Sequence, residues 1–254
     1  MIKEKIAGIA FWAGSWPVDA QKPTLVFIHG SGEDHALWLE QIDALAGQAN
    51  TLAIDLPGHG QSDGPAMDDV TAYAEAVAAF MAAAALPRAV PCGLSIGGAI
   101  VQQLLLDHGH LLAAGILVNT GARLRVMPAI FETLEKDFAG FTEMTARIAA
   151  SPKTDPERLA AVMAATAKCP PEVTAGDFRA CDRFDVMDRL GEIQRPVLVV
   201  SAEEDKLTPP KYGDFLETHI NGARRVHIAD AGHLVPVEQP EALNAAIAAF
   251  LSDI

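Results

Sequence analysis

The sequence predicts an α/β fold with a mostly parallel central sheet, helices on both faces and a helical insertion over one end. Three observations carry this. Short, wholly apolar runs recur along the chain, as strands buried on both faces require. Helical patterns separate them, and the alternation lapses between about 122 and 192 before resuming at Arg195-Pro196. A chain of 254 residues can bury one sizeable core.

Taken in order, residues 4–12 supply an antiparallel leading strand. The apolar runs 24–28 and 51–54 are the first parallel strands. Asp68 or Asp69 then caps a helix that carries Tyr73, Val77, Phe80 and Met81 on one face and is stopped by Pro87. The run 89–92 leads into a helix beginning near Ile96, with Gly109 placed as its C-terminal stop. After the strand 114–118 the period changes. Ile130, Phe131, Leu134, Phe138, Phe141 and Ile148 recur at helical spacing, punctuated by Pro128, Pro152, Pro156 and Pro170-Pro171. Strands 196–201 and 225–228 complete the sheet. The division is therefore a core of 1–121 and 193–254 and a helical cap of 122–192.

Composition narrows the partners. A formal charge of −14 repels a phosphate backbone or an anionic membrane surface. Cys92, Cys169 and Cys181 form no CxxC pair, which excludes a disulfide framework and a zinc site. The start, Met1-Ile2-Lys3-Glu4-Lys5, lacks the apolar region of a signal peptide, and no apolar run suffices to span a bilayer. The expectation is a cytoplasmic monomer or homodimer acting on a small molecule.

Gly93-Leu94-Ser95-Ile96-Gly97-Gly98 lies between a strand and a helix. A serine at the tip of so sharp a turn needs small neighbours. The helix behind it favours developing negative charge, and the Ile96 N–H is placed to donate to an oxyanion. A serine hydroxyl becomes a usable nucleophile only beside a base. Of eight histidines, His233 stands just past the last strand, where open α/β sheets place their sites. His29 and His59 sit in glycine-rich turns, His227 within a strand, and His108, His110 and His219 at helix ends. The acid should follow the strand 196–201, where Glu203, Glu204 and Asp205 all qualify on spacing alone.

These motifs together resemble the α/β-hydrolase superfamily over nearly the whole chain. His29-Gly30-Ser31-Gly32, with Trp38 downstream, resembles its HGxG turn; the resemblance implies that the N–H of Ser31, with Gly32 as rival, is the second oxyanion donor. Asp55-Leu56-Pro57-Gly58-His59-Gly60-Gln61-Ser62 resembles its D-x-P-G-x-G-x-S segment, which shapes a turn and is not catalytic. The order Ser95, Asp205, His233 is that of its nucleophile, acid and base, and Thr208-Pro209 closing the turn favours Asp205. Two positions depart from the pattern: Pro91 interrupts the strand before the elbow, and Ala202 replaces the glycine that often opens the acid motif.

The expected reaction is serine-dependent hydrolysis of small to medium, mostly uncharged carboxylic esters, requiring no metal or organic cofactor. Trp38, Met127, Phe131, Leu134 and Phe138 are the candidate substrate pocket, with Phe141 and Met144 beside them. Lactones and thioesters are near neighbours. Cleavage of a carbon–carbon bond is the alternative chemistry, with Arg123 and Arg125 available for a carboxylate. A catalytically silent ligand-binding member of the fold is the alternative outside enzymes.

Overall fold

A computed structural model describes the backbone of residues 1–254 and the side chains of all but residue 146. The strands are β1 (Ile2–Ile6), β2 (Ile9–Ala13), β3 (Thr24–Ile28), β4 (Asn50–Ile54), β5 (Ala89–Leu94), β6 (Gly115–Val118), β7 (Val197–Ala202) and β8 (Arg224–Ile228). They form one eight-stranded sheet in the order β1-β2-β4-β3-β5-β6-β7-β8. Only the β1–β2 and β2–β4 pairs are antiparallel. β3 to β7 are buried along their whole length, the burial expected of apolar runs covered on both faces.

The leading segment is a hairpin rather than one strand. Ala7 and Gly8 both take positive φ, at 50° and 81°, and Ile6 pairs with Ile9 across the two-residue turn. An Ala-Gly turn lacks the Asn-Gly or Asp-Gly signature that would announce it. β1 is an exposed edge whose Lys3 and Lys5 discourage pairing with a further strand. Pro91 interrupts the β5–β6 ladder: Ala89 bridges Leu112 in isolation, and continuous pairing begins only at Cys92 with Ile116.

The helices are α1 (Leu39–Leu45), α2 (Val70–Ala83), α3 (Ile96–Asp107), α4 (Pro128–Lys136), α5 (Phe138–Ala149), α6 (Pro156–Lys168), α7 (Pro171–Arg183), α8 (Lys211–His219), α9 (Val235–Glu238) and α10 (Pro240–Leu251). One core packs α2, α3 and α8 against one sheet face, through side chains such as Tyr73, Phe80, Leu104 and Leu216. A second packs α1 and α10 against the other, through Ile42, Leu45, Leu243 and Phe250. Asp69 caps α2, accepting from the N–H groups of Thr71 and Ala72. α3 ends at His108, and Gly109 opens a short 3-10 turn instead of acting as the stop. No helix among the described residues is long and apolar enough to cross a membrane.

All of α4 to α7 fall between β6 and β7. The helical periodicity read through 130–148 belongs to two helices, since Asp137 breaks the run and ends α4. At the base of the insertion its two ends meet: Arg123 bridges Asp185, and the Val186 N–H donates to the Ala122 carbonyl at 2.8 Å.

Candidate active site

Ser95 stands between β5 and α3 with φ 57° and ψ −118°, a conformation that costs a non-glycine residue energy. Its surroundings hold it there. The Ser95 N–H donates to the Val118 carbonyl at 3.1 Å, and Thr120 Oγ1 donates to the Ser95 carbonyl at 2.7 Å. A Cβ at Gly93 would lie 2.1 Å from the Gly97 backbone, and one at Gly97 would lie 2.4 Å from the Ile28 carbonyl oxygen. The glycines therefore answer to close backbone approach, not merely to a flexible helix start. Ile96 opens α3, so its N–H has no carbonyl one turn back to meet.

His233 follows β8, and Asp205 follows β7, both at the carboxyl edge that also carries Ser95. His233 Nδ1 lies 2.8 Å from Asp205 Oδ2, and both side chains are buried. Asp205 Oδ1 accepts the N–H groups of Leu207 and Thr208, while Thr208 Oγ1 donates to Oδ2 at 2.7 Å. Burial pushes the Asp205 carboxyl up, but His233 and the Thr208 donors outweigh it and hold the pKa below its ordinary value. Burial likewise pulls His233 down, and the Asp205 carboxylate outweighs that, leaving the imidazole above its ordinary value. The rival carboxylates are engaged elsewhere. Glu204 binds Lys153 at 2.7 Å and Ser151, and Glu203 is exposed beside the Asp230 N–H.

Residues not singled out in the sequence hold this loop. Asn119, at φ 40° after β6, donates to the carbonyls of Gly232 and His233 and accepts the Ala202 N–H. Glu238 is buried; its Oε2 accepts from Ser151 and Gly232 N–H groups and from Thr154 Oγ1, and its Oε1 from Leu234 N–H. The His233 N–H donates to the Ala149 carbonyl at the end of α5.

The turn after β3 is clamped from another side. The buried carboxylate of Asp177, on α7, accepts the Gly32 N–H at 2.8 Å, His59 Nε2–H at 2.9 Å and Tyr73 Oη–H at 2.6 Å. Because Asp177 takes the Gly32 N–H, that group is unavailable to an oxyanion, whereas the Ser31 N–H has no acceptor among the described residues. Burial pulls His59 down, but the Asp177 carboxylate outweighs it and raises its pKa. His29 accepts the Leu56 N–H on Nε2 and faces the Gly30 carbonyl with Nδ1; burial lowers its pKa to about 4, so it stays neutral. Asp55 ties the neighbouring turn together, accepting from His35 and from the Gln61 N–H. Asp34, His35 and Asp55 bring ligand atoms within 4.8 Å of one another, but these same atoms serve the turn's own hydrogen bonds. A signal for Asp177 was present: a carboxylate on the apolar stripe of Val173, Ala180 and Cys181 in an amphipathic helix.

Ser95, Ser31, Glu33 and His233 line one cavity of about 290 Å³ between the sheet edge and α4 to α7. Among the described residues no hydrogen bond joins Ser95 Oγ to the imidazole; Nε2, the ring nitrogen turned away from Asp205, is left free for it. Of the candidate pocket residues only Met127 lines the cavity. Trp38 is fully buried off the lining, stacked on Phe27 with ring centroids 5.0 Å apart. Phe131, Leu134 and Phe138 lie off the lining. Leu134 is buried, and Phe138 stacks on Phe141, which meets Phe178 edge-on. Within α4 Ile130 lines the cavity and its neighbour Phe131 does not, while Phe138 belongs to α5 and packs among the inserted helices. Arg123 is drawn off to Asp185 at 3.4 Å, and Arg125 lines the cavity from an exposed position.

The alpha/beta hydrolase family model matches residues 25–246. The 3-oxoadipate enol-lactonase 1 of Acinetobacter baylyi (strain ATCC 33305 / BD413 / ADP1) is 28% identical over 241 residues, covering 91% of this chain and 90% of its own. The pimeloyl-[acyl-carrier protein] methyl ester esterase of Vibrio atlanticus (strain LGP32) is 26% identical, covering 92% and 96%. A solved thermophilic esterase superimposes with TM-score 0.85 at 33% identity, covering 99% of this chain and 97% of that one.

Proposed function

Since this chain belongs to the alpha/beta hydrolase family, we propose that it cleaves small to medium, mostly uncharged carboxylic esters through an acyl-enzyme on Ser95. The observation that carries this is the pairing of His233 Nδ1 with Asp205 Oδ2 at 2.8 Å beside the cavity that Ser95 lines. With Nδ1–H donated to the carboxylate, Nε2 is the basic nitrogen. It takes the Ser95 hydroxyl proton as Oγ attacks the ester carbonyl. The Ile96 and Ser31 N–H groups receive the oxyanion. The carbon–oxygen bond then breaks, and the imidazolium returns its proton to the leaving alkoxide. Water, deprotonated by the same nitrogen, attacks the acyl-enzyme and releases the acid. Residues 122–192 act as a cap that supplies most of the apolar lining, through Val126, Ile130, Val162 and Phe178.

The similarity to an enol-lactonase supports a second reading, ring opening of a lactone by the same attack. It differs only in that the leaving oxygen stays tethered. Carbon–carbon cleavage would rest on Arg125 alone to hold a carboxylate, since Arg123 is committed to Asp185.

Labelling with a fluorophosphonate followed by intact mass measurement tests the assignment. One adduct is expected on the wild type and none on Ser95→Ala, with hydrolysis of p-nitrophenyl butyrate lost in parallel. Absence of both adduct and turnover in the wild type would point to a silent ligand-binding member of the fold.

A further inference from the structure

The cavity lining is largely apolar, and besides His233, Tyr212 and Cys181 its ionisable side chains are of two kinds. Arg125 and Lys206 are exposed. Glu33 is 8% exposed, although a carboxylate is rarely buried without a cation beside it. Its Oε2 accepts the Gly30 N–H at 2.8 Å. Its Oε1 has no hydrogen-bond partner among the described residues and is not sealed from solvent, and Glu33 lines the cavity. Neither the elbow nor the Asp205–His233 pair uses this group.

We propose that Glu33 is a specificity-determining residue: its free carboxyl oxygen meets the bound ester, hydrogen-bonds a neutral polar group there, and turns away esters with a carboxylate near the scissile carbonyl. This rests on the reading of the cavity as the place where an ester binds.

The electrostatics around Glu33 make the selection depend on pH. Burial is the largest influence and pushes its pKa up to about 7, aided by Asp34 beside it and Asp177 on α7. The Gly30 N–H and His233 act in the opposite direction. Below that value the group is a neutral acid that can donate as well as accept. Above it the group is an anion in an apolar cavity, where repulsion of a second anion is weakly screened. Discrimination against an anionic ester should therefore grow as pH rises through 7.

Two nearly isosteric substrates isolate this effect: monomethyl succinate, and the methyl ester of succinamic acid, which is neutral. The ratio of their kcat/KM values largely cancels the titration of His233, which both substrates need. In the wild type the ratio of neutral to anionic ester is expected to rise roughly tenfold from pH 6 to pH 8.5. In Glu33→Gln, which keeps an acceptor for the Gly30 N–H, the rise should shrink at least threefold, with the anionic ester gaining at pH 8.5. A thermal melt verifies that the variant folds. The same ratio measured as Kd on Ser95→Ala makes the test independent of turnover. A ratio that is flat in the wild type, or equally steep in Glu33→Gln, overturns the role of Glu33. No turnover together with a pH-dependent Kd ratio overturns ester cleavage and upholds Glu33.

Discussion

Two loops meet at the cavity, and each is gripped by a buried carboxylate, but the grips run in opposite directions. Glu238 belongs to the sheet-bearing part of the chain, holds the His233 loop, and reaches out to Ser151 and Thr154 in the insertion. Asp177 belongs to the insertion and reaches in to hold Gly32 and His59. On the proposed mechanism, the acid–base half of the site is thus built by the sheet-bearing part and lends order to the insertion, and the oxyanion half borrows its order from the insertion. Damage to the two carboxylates should consequently have different signatures.

The largest effect belongs to the acid–base half. Asp205→Asn is expected to lower kcat for a neutral ester by ~10,000-fold, since the imidazole loses its tautomeric anchor. The acidic limb of its pH–rate profile should also move to lower pH, because Asp205 is what raises His233. Asp177→Asn should cost less, ~10- to 100-fold in kcat, short of the loss of a whole oxyanion donor. Its acidic limb should stay in place. An acidic limb that moved with Asp177→Asn and not with Asp205→Asn would erase the contrast.

Stability sharpens the comparison further. His59 titrates at a raised pKa beside Asp177, so this pair stabilises the fold fully below the unfolded histidine value near 6.5. That contribution fades as pH rises through the folded value. Asp177→Asn should therefore lower the melting temperature more at pH 6 than at pH 9. Glu238→Gln, which loses charge-assisted bonds to several N–H groups, should destabilise by ~2 to 3 kcal/mol by urea denaturation. The smallest effect on catalysis should come from Leu134→Ala, expected to cost ~2 to 3 kcal/mol of stability while leaving KM within about twofold.

The sheet was legible because its strands are short apolar runs with turn residues at their ends; 24–28 matches β3 residue for residue. The elbow was legible because steric demand writes glycine into the sequence at 93 and 97. The Asp205–His233 pairing could be narrowed by order along the chain but settled among three carboxylates only by distance. The pocket was not legible. Apolar residues on an inserted helix read alike whether they face a cavity or a neighbouring helix, and one step of phase separates Ile130 from Phe131. Asn119 and Glu238 escaped for a related reason: their burial is accounted for by partners far away in the chain, Ala202, Gly232 and His233 for the first and Ser151 for the second.

The backbone at Ser95 carries a further consequence. A positive φ costs a non-glycine residue ~1 to 3 kcal/mol, and glycine adopts it freely. Replacing Ser95 with glycine should thus give a dead protein that melts at a higher temperature than the alanine replacement. On the proposed mechanism, serine at this position trades thermal endurance for turnover.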